Sequence, residues 1–261
     1  MPTVAHLNVT PVKSTRLNHP EHLRIERYGP AGDREFFFVD HSGKRFSATA
    51  KAPMLLVGAA YDDENDELEL RFPDGRTIRG PAAGDGEALT VDFYGRPVPS
   101  HIVDGRWTDE LTAYAGTSTR LARTDRPGAG LDVEPVTIVS LASVAELARQ
   151  GERTSLDPRR FRMTIELDGC EPHEEDTWEG RRIRVGEVEL AVGEQVPRCV
   201  VTTLDPETGA RDFPTLSVIS GYRGVPPRTS PPFGVYARVI SPGVVRVGDD
   251  VTLADGEPAQ A

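Results

Sequence analysis

The chain has 261 residues, 38% of them hydrophobic, enough for an ordinary buried core in one large domain or two small ones. Asp and Glu total 41 against 30 for Lys and Arg, and the formal charge of -11 opposes binding to nucleic acid or anionic lipid. The start, MPTVAHLNVTPVKS, lacks a basic stretch followed by an apolar run, and no run of about 18 apolar residues occurs, so the expected location is the cytoplasm, with no membrane association.

The first half is dense in short runs, EFFFVD, LLVGAAYD, ELELRF and TIRG, separated by turns at HSGK, DDEND and FPDG. That spacing predicts antiparallel sheet or barrel. In ELELRF, Leu68, Leu70 and Phe72 fall on one face and Glu67, Glu69 and Arg71 on the other, and Asp74-Gly75 closes a hairpin. WTDELTAYAG reads as a short helix, capped by Thr108, with Leu111 and Tyr114 on one face. LARTDRPGAGLDVEPV, polar and rich in Gly and Pro, reads as a linker or surface loop.

TIVSLASVAELARQ reads as a strand running into a helix, with Ser143 as cap, Glu146 at the capping-box position, and Val144, Leu147 and Ala148 as the apolar stripe. The junction at Ser140 to Ser143 would present free backbone NH groups to an anion. RFRMTIEL, RRIRVGEVELAV and GVYARVISPGVVRVGDDVTL return to strand. The proline-rich GVPPRTSPPFG is expected to be an ordered surface excursion or a lid. The expected fold is mainly β (α+β), two β-barrel-like modules over residues 1-127 and 128-254, the second with a few helices, and a frayed tail over 255-261.

Two cysteines, Cys170 and Cys199, are too few for a disulfide framework, a four-thiolate zinc site or a self-contained iron-sulfur cluster. Cys199 follows Pro197 and Arg198 and precedes Thr202, Thr203 and the turn DPETG; an adjacent cation favours the thiolate that binds metal. Cys170, in LDGCEPHEED, is crowded by carboxylates that disfavour thiolate. Lys13, Arg34, Arg162 and Arg198 each sit in or beside a strand and are either surface decoration or converging contacts for an anionic ligand. The six histidines show no zinc-site spacing, and no dinucleotide, nucleoside triphosphate or nucleophile-elbow motif occurs, so zinc, flavin and nucleotide cofactors are not expected.

Taken in order, PVKS, GDREFFFVD, FR before a strand, and RCxxTTxDPxTG resemble the MOSC family, specifically members with an N-terminal MOSC β-barrel such as the amidoxime-reducing components. The resemblance implies a molybdenum cofactor (molybdopterin) held between the two modules, with the metal on Cys199. Lys13, Ser14 and Arg34 from the first module, and Ser140, Ser143, Arg162 and Arg198 from the second, are then pterin and phosphate contacts. It further implies an oxidoreductase acting on N-hydroxylated or other N-oxygenated small molecules, with electrons from a separate reductase. Two departures stand out: FRxN is Phe161-Arg162-Met163-Thr164 here, and a TxRQ-like segment is Ala48-Thr49-Ala50-Lys51. Two rival readings stay open: a cofactor carrier or sulfur relay without small-substrate turnover, and an interaction module in which Cys199 is only a reactive or buried thiol.

Overall fold

The computed structural model describes residues 1-46, 52-226 and 229-254. The segment Ala48-Thr49-Ala50-Lys51, the tail, and part of the proline-rich excursion lie outside the described residues. In chain order come β1 (Thr3–Leu7), β2 (His22–Glu26), β3 (Gly29–Pro30), β4 (Phe36–Val39), β5 (Gly58–Asp62), β6 (Glu67–Arg71) and β7 (Thr77–Pro81). There follow β8 (Ala88–Phe93), β9 (Arg96–Ile102), α1 (Trp107–Ala115), β10 (Arg120–Thr124), β11 (Val136–Ser140) and α2 (Leu141–Gln150). The last elements are β12 (Ile165–Asp168), β13 (Arg182–Val185), β14 (Val188–Pro197), α3 (Thr215–Arg223), β15 (Pro232–Ser241), β16 (Gly243–Arg246) and β17 (Val251–Leu253). The mainly β fold expected from the short alternating runs is the fold observed. Among the described residues no helix is long and apolar enough to cross a membrane.

The chain forms two compact units that interleave in sequence. A barrel unit takes Met1–Asn8, His19–Ala31 and Val133 onward; a two-sheet unit takes Val9–Asn18 and Gly32–Asp132.

The barrel unit is built on a seven-stranded sheet ordered β1-β12-β11-β15-β14-β13-β17. β1 returns to the far end of this order, since Thr3 bridges Asp250 and the Val251 amide donates to the Pro2 carbonyl at 2.8 Å. Closure of this kind removes free strand edges. The core beside α2 and α3 gathers Val139, Val144, Leu147, Phe161, Phe213, Ile219 and Phe233. Val144 and Leu147 lie three apart on α2, the helical spacing read from the sequence.

The two-sheet unit carries the sheets β4-β10-β9-β8 and β5-β6-β7. Leu68, Leu70 and Phe72 are buried as their alternation predicted, and the Asp74-Gly75 turn joins β6 to β7 with Gly75 at φ 87°. β4 departs from a one-sided strand because all four of its residues are buried. Phe36 and Phe38 enter the core of Leu68, Leu70 and Trp107, while Phe37 and Val39 enter a second core with Val91, Phe93 and Ile102. Successive side chains point to opposite faces, so a strand with apolar residues at every position serves two cores.

Three local expectations are corrected. LART is not linker but β10, which pairs with both β4 and β9 and buries Leu121 and Ala122. Thr108 does not cap α1; the helix starts at Trp107, whose indole is buried and donates to the Pro81 carbonyl at 3.2 Å. Ser143 does not cap α2; β11 runs directly into the helix, so Ser140, still extended, is the cap, and its Oγ accepts from the Ala142 and Ser143 amides. Glu146 accordingly turns to solvent-side pairing with Arg149 and Gln150.

Candidate functional site

The sequence-predicted residues fall into a group on each unit. In the barrel unit, β14 ends with alternation that leaves Pro197 exposed, Arg198 buried and Cys199 exposed. Cys199 is the N-cap of a one-turn 3-10 helix, Val200–Thr203, and its side chain makes no capping hydrogen bond. Within this turn each carbonyl from Cys199 to Thr203 has a donor. The Thr202 hydroxyl donates to Cys199 O at 3.0 Å, the Thr203 hydroxyl to Val200 O at 2.7 Å, and the Leu204 amide to Val201 O at 3.0 Å. Thr202 O accepts from Arg160 Nη1 at 3.1 Å and from the Thr215 hydroxyl at 2.6 Å, and Thr203 O from the Asp212 amide at 3.2 Å. The two threonines of the RCxxTT motif thus stiffen the backbone that presents the thiol.

Below the turn, Asp205 accepts from the Thr208 hydroxyl and from the Thr208 and Glu207 amides, and these hydrogen bonds outweigh its partial burial to hold its carboxyl below the ordinary value. Gly209, at φ 68°, completes the DPETG turn.

Arg198, the neighbour of Cys199, is buried. Its guanidinium runs inward, donating from Nε to Phe233 O at 2.8 Å and from Nη1 to Phe161 O at 3.1 Å, and lies 5.4 Å from the Phe161 ring centroid. Phe161 and Phe233 stack at 4.5 Å. The guanidinium locks β15 and the turn before β12 to the cysteine's own strand.

Arg162 is half-buried at φ 56°, where the Pro158–Phe161 turn ends. Thr164, which stands where the family pattern has Asn, is buried and exchanges bonds with Thr137, its amide donating to Thr137 Oγ1 at 2.9 Å. Its side chain is committed between β11 and β12.

Ser140 and Ser143 lie at the N-terminus of α2, where an anion was expected. The carboxylate there is the chain's own: Glu175, fully buried, accepts from the Ser140 amide at 3.2 Å and from the Ser143 hydroxyl at 2.9 Å. Ser143 Oγ also accepts from the His173 amide at 2.7 Å. Burial raises the Glu175 carboxyl above its ordinary value despite these donors. Next to it, the half-buried Cys170 thiol is pushed up to about 12, first by burial and then by Glu174 and Glu175. For Cys170 burial thus adds to the carboxylates that the sequence showed.

In the two-sheet unit, Lys13-Ser14 and Asp33-Arg34 form neighbouring turns, since Lys13 N donates to Phe36 O at 2.7 Å and Arg34 N to Thr10 O at 2.7 Å. Ser14 and Arg34 adopt left-handed backbone, φ 74° and 52°. A Cβ on Gly130 would lie 1.9 Å from Arg34 O, so only glycine allows this approach. Lys13 is buried; its Nζ donates to Gly130 O at 3.0 Å and to Asp132 Oδ1 at 2.6 Å, and Arg34 pairs with Asp33. Burial lowers the Lys13 amine to about 8, Arg34 and Arg45 adding to the fall and Asp132 opposing it. Burial alone would raise Asp132, but Lys13 and Arg34 hold it down to about 2.

Among the described residues, seven other than glycine have left-handed backbone, and Ser14, Arg34 and Arg162 are three of them. Such strain persists where surrounding structure imposes it, and its concentration on residues chosen from sequence motifs marks these turns as candidate ligand clamps. Sequence reasoning missed Arg160, Thr215, Asp212 and Glu175. Arg160 was signalled only by its place in RRFR, and the others meet their partners across 13 to 52 residues of chain.

With this geometry in hand, residues 125–252 match the MOSC domain and residues 1–100 match the MOSC N-terminal beta barrel domain. The chain belongs to the MOSC family, in the branch that carries both domains. It is 30% identical over 282 residues to mitochondrial amidoxime-reducing component 1 of Danio rerio, covering 95% of this chain and 83% of the relative. It is 28% identical over 288 residues to mitochondrial amidoxime reducing component 2 of Bos taurus, covering 95% and 82%. The crystal structure of the YUAD protein from Bacillus subtilis aligns over 96% of this chain and 94% of that one, with TM-score 0.45 and 16% identity.

Proposed function

We propose that the chain binds a molybdenum cofactor with the Cys199 thiolate as protein ligand to the metal, and reduces N-hydroxylated or other N-oxygenated compounds with electrons from a separate reductase. The observation that carries this reading is the exposed thiol on a turn whose carbonyls are all satisfied within the barrel unit. The donor set suits the group: a soft thiolate for molybdenum, and cations on strained turns for a phosphate-bearing pterin. The names of the amidoxime-reducing relatives support the substrate class.

When bound, the cofactor supplies two-electron chemistry in which an N–O oxygen leaves as water after two electrons and two protons are taken up. The protein's part is placement. Arg160 and Thr215 hold the Cys199 turn rigid, so the ligand thiol suffers little reorganisation. Lys13, Ser14, Arg34 and Arg162 are proposed as direct contacts to the pterin and its phosphate. Ser140, Ser143 and Arg198, whose polar groups are engaged inside the barrel unit, are proposed to act at one remove by setting the backbone around the ligand. The acidic surface suits docking to a basic patch on the electron donor.

The test is molybdenum and pterin content of protein made in a cofactor-producing host, for the unmodified chain, Cys199→Ala and Cys170→Ser, followed by turnover of benzamidoxime with a chemical reductant. Near-stoichiometric metal lost only in Cys199→Ala, together with turnover, is the expected result. Metal without turnover of any N-oxygenated compound would move the reading to a carrier, and absence of metal and pterin from all three proteins would overturn it.

A further inference from the structure

Arg45 was not singled out by any motif, yet it sits beside the cations that were. The ring of Phe93, buried at the end of β8, faces Lys13 Nζ at 5.5 Å from its centroid and the Arg45 guanidinium at 4.6 Å. The same guanidinium lies 4.9 Å from the centroid of Tyr94, a side chain that is 65% exposed. Tyr94 and Gly95, at φ 57° and 84°, form the two-residue turn between β8 and β9, so the two rings are presented by a fixed hairpin rather than a mobile loop. Arg45 reaches them from a backbone bridge to Val39 at the end of β4.

The charges around this point do not cancel in the same way. Lys13 is answered by Asp132 and Arg34 by Asp33. Among the described residues Arg45 has aromatic rings but no carboxylate at ion-pair distance, acting on Asp132 only from further off, and its Nε is buried without a hydrogen bond. A guanidinium whose face is covered by rings keeps its N–H groups in the plane, directed outward from the stack, where they match two oxygens of a phosphate. Burial lowers the Lys13 amine, and repulsion from Arg34 and Arg45 adds to the fall against the opposing pull of Asp132, so the three cations lie close enough to feel one another. With Lys13, Arg34 and Arg45 set against Asp132 and Asp33, the group carries one more cation than carboxylate, in a protein of net charge -11.

We propose that Arg45, held on Phe93 and Tyr94, is a third cationic contact of the anion site formed by Lys13 and Arg34, and that it binds a phosphate monoester through the edge of its guanidinium. The inference rests on the reading that Lys13 and Arg34 hold the phosphate-bearing part of the cofactor. It adds a residue that the MOSC motifs in this sequence do not contain, and it assigns a role to the exposed Tyr94 as the lid of an arginine stack. Free phosphate offers the same chemistry, so the cofactor's phosphate and the inorganic ion are separated by the two arms of the test.

In the first arm, cofactor-free protein is titrated with inorganic phosphate by calorimetry. Arg45→Met weakens binding by about tenfold or more, Arg45→Lys by less, since lysine keeps the charge without the fork. Tyr94→Asn, which tolerates the left-handed turn and lies on the surface, weakens binding severalfold without lowering the melting temperature, so the proposal stays testable if Arg45→Met folds poorly. In the second arm, pterin retained after exhaustive dialysis is measured for protein made in a cofactor-producing host. Arg45→Met retains less than the unmodified chain. Phosphate affinity unchanged in both Arg45→Met and Tyr94→Asn overturns the proposal. Unmodified protein that holds no pterin but loses phosphate affinity on Arg45→Met sinks the cofactor reading while leaving the anion site, and unchanged pterin retention in Arg45→Met assigns the site to free phosphate.

Discussion

Cys199 and Cys170 stand in the same barrel unit at turns of opposite construction. Around Cys199 the hydrogen-bond acceptors of the backbone are satisfied by Arg160, Thr215 and the two motif threonines, and the thiol is left exposed. Around Cys170 the protein instead buries a carboxylate, Glu175, on the end of α2, and the thiol is half-buried with its pKa pushed up to about 12. The first turn invests its polar groups in rigidity and leaves a reactive atom free; the second invests them in neutralising its own charge. A cysteine is made available for chemistry by where the surrounding hydrogen bonds go, as much as by its exposure.

The comparison is tested most sharply by alkylation. With Cys199 replaced by Ala, iodoacetamide should label Cys170 about 1000-fold faster in unfolded than in folded protein, since a shift from about 9 to about 12 removes roughly that share of thiolate. Equal rates in the two states would remove the contrast. Next in size, Arg160→Ala strips Thr202 O of one donor and Asp212 of its partner, and should lower unfolding free energy by about 2–3 kcal/mol in urea melts. In cofactor-loaded protein it should also speed metal loss, which Cys170→Ser should not.

On the other side of the comparison, Ser143→Ala leaves Glu175 Oε2 without its hydroxyl donor and the His173 amide without an acceptor, a cost of about 1–2 kcal/mol in the same melts. The smallest effect is in pH dependence. The Glu175 carboxyl is raised above its ordinary 4.5 in the folded protein, so above pH 4.5 the folded state holds a proton that the unfolded state has released. Stability therefore falls as pH rises through that window, and Glu175→Gln should flatten the fall. A slope unchanged by this substitution would place the titration elsewhere.

The sequence's preference for Cys199 over Cys170 rests on local signals: Arg198 and the threonines around the one, GluGlu and Asp around the other. The use of Arg198 was not legible. Its place in the sequence suggested a charge beside the thiol, whereas strand alternation at the end of β14 turns it inward to Phe161 and Phe233. Likewise the helix at α2 was legible, but its cap was not. Ser140 and Ser143 are both good caps, and the choice between them depends on how far β11 continues, which its pairing with β12 and β15 decides.

By itself, the sequence determined the mainly β fold, the amphipathic hairpin of β6 and β7, and the family, because periodicity and contiguous motifs need no distant partner to be read. The tertiary structure alone decided that LART is a central strand, that Phe36–Val39 serves two cores, that the two units interleave along the chain, and that Arg45 rests on Phe93 and Tyr94. Each of these depends on pairing between residues far apart in the chain, where many partners are chemically equivalent and only closure of the whole sheet selects one.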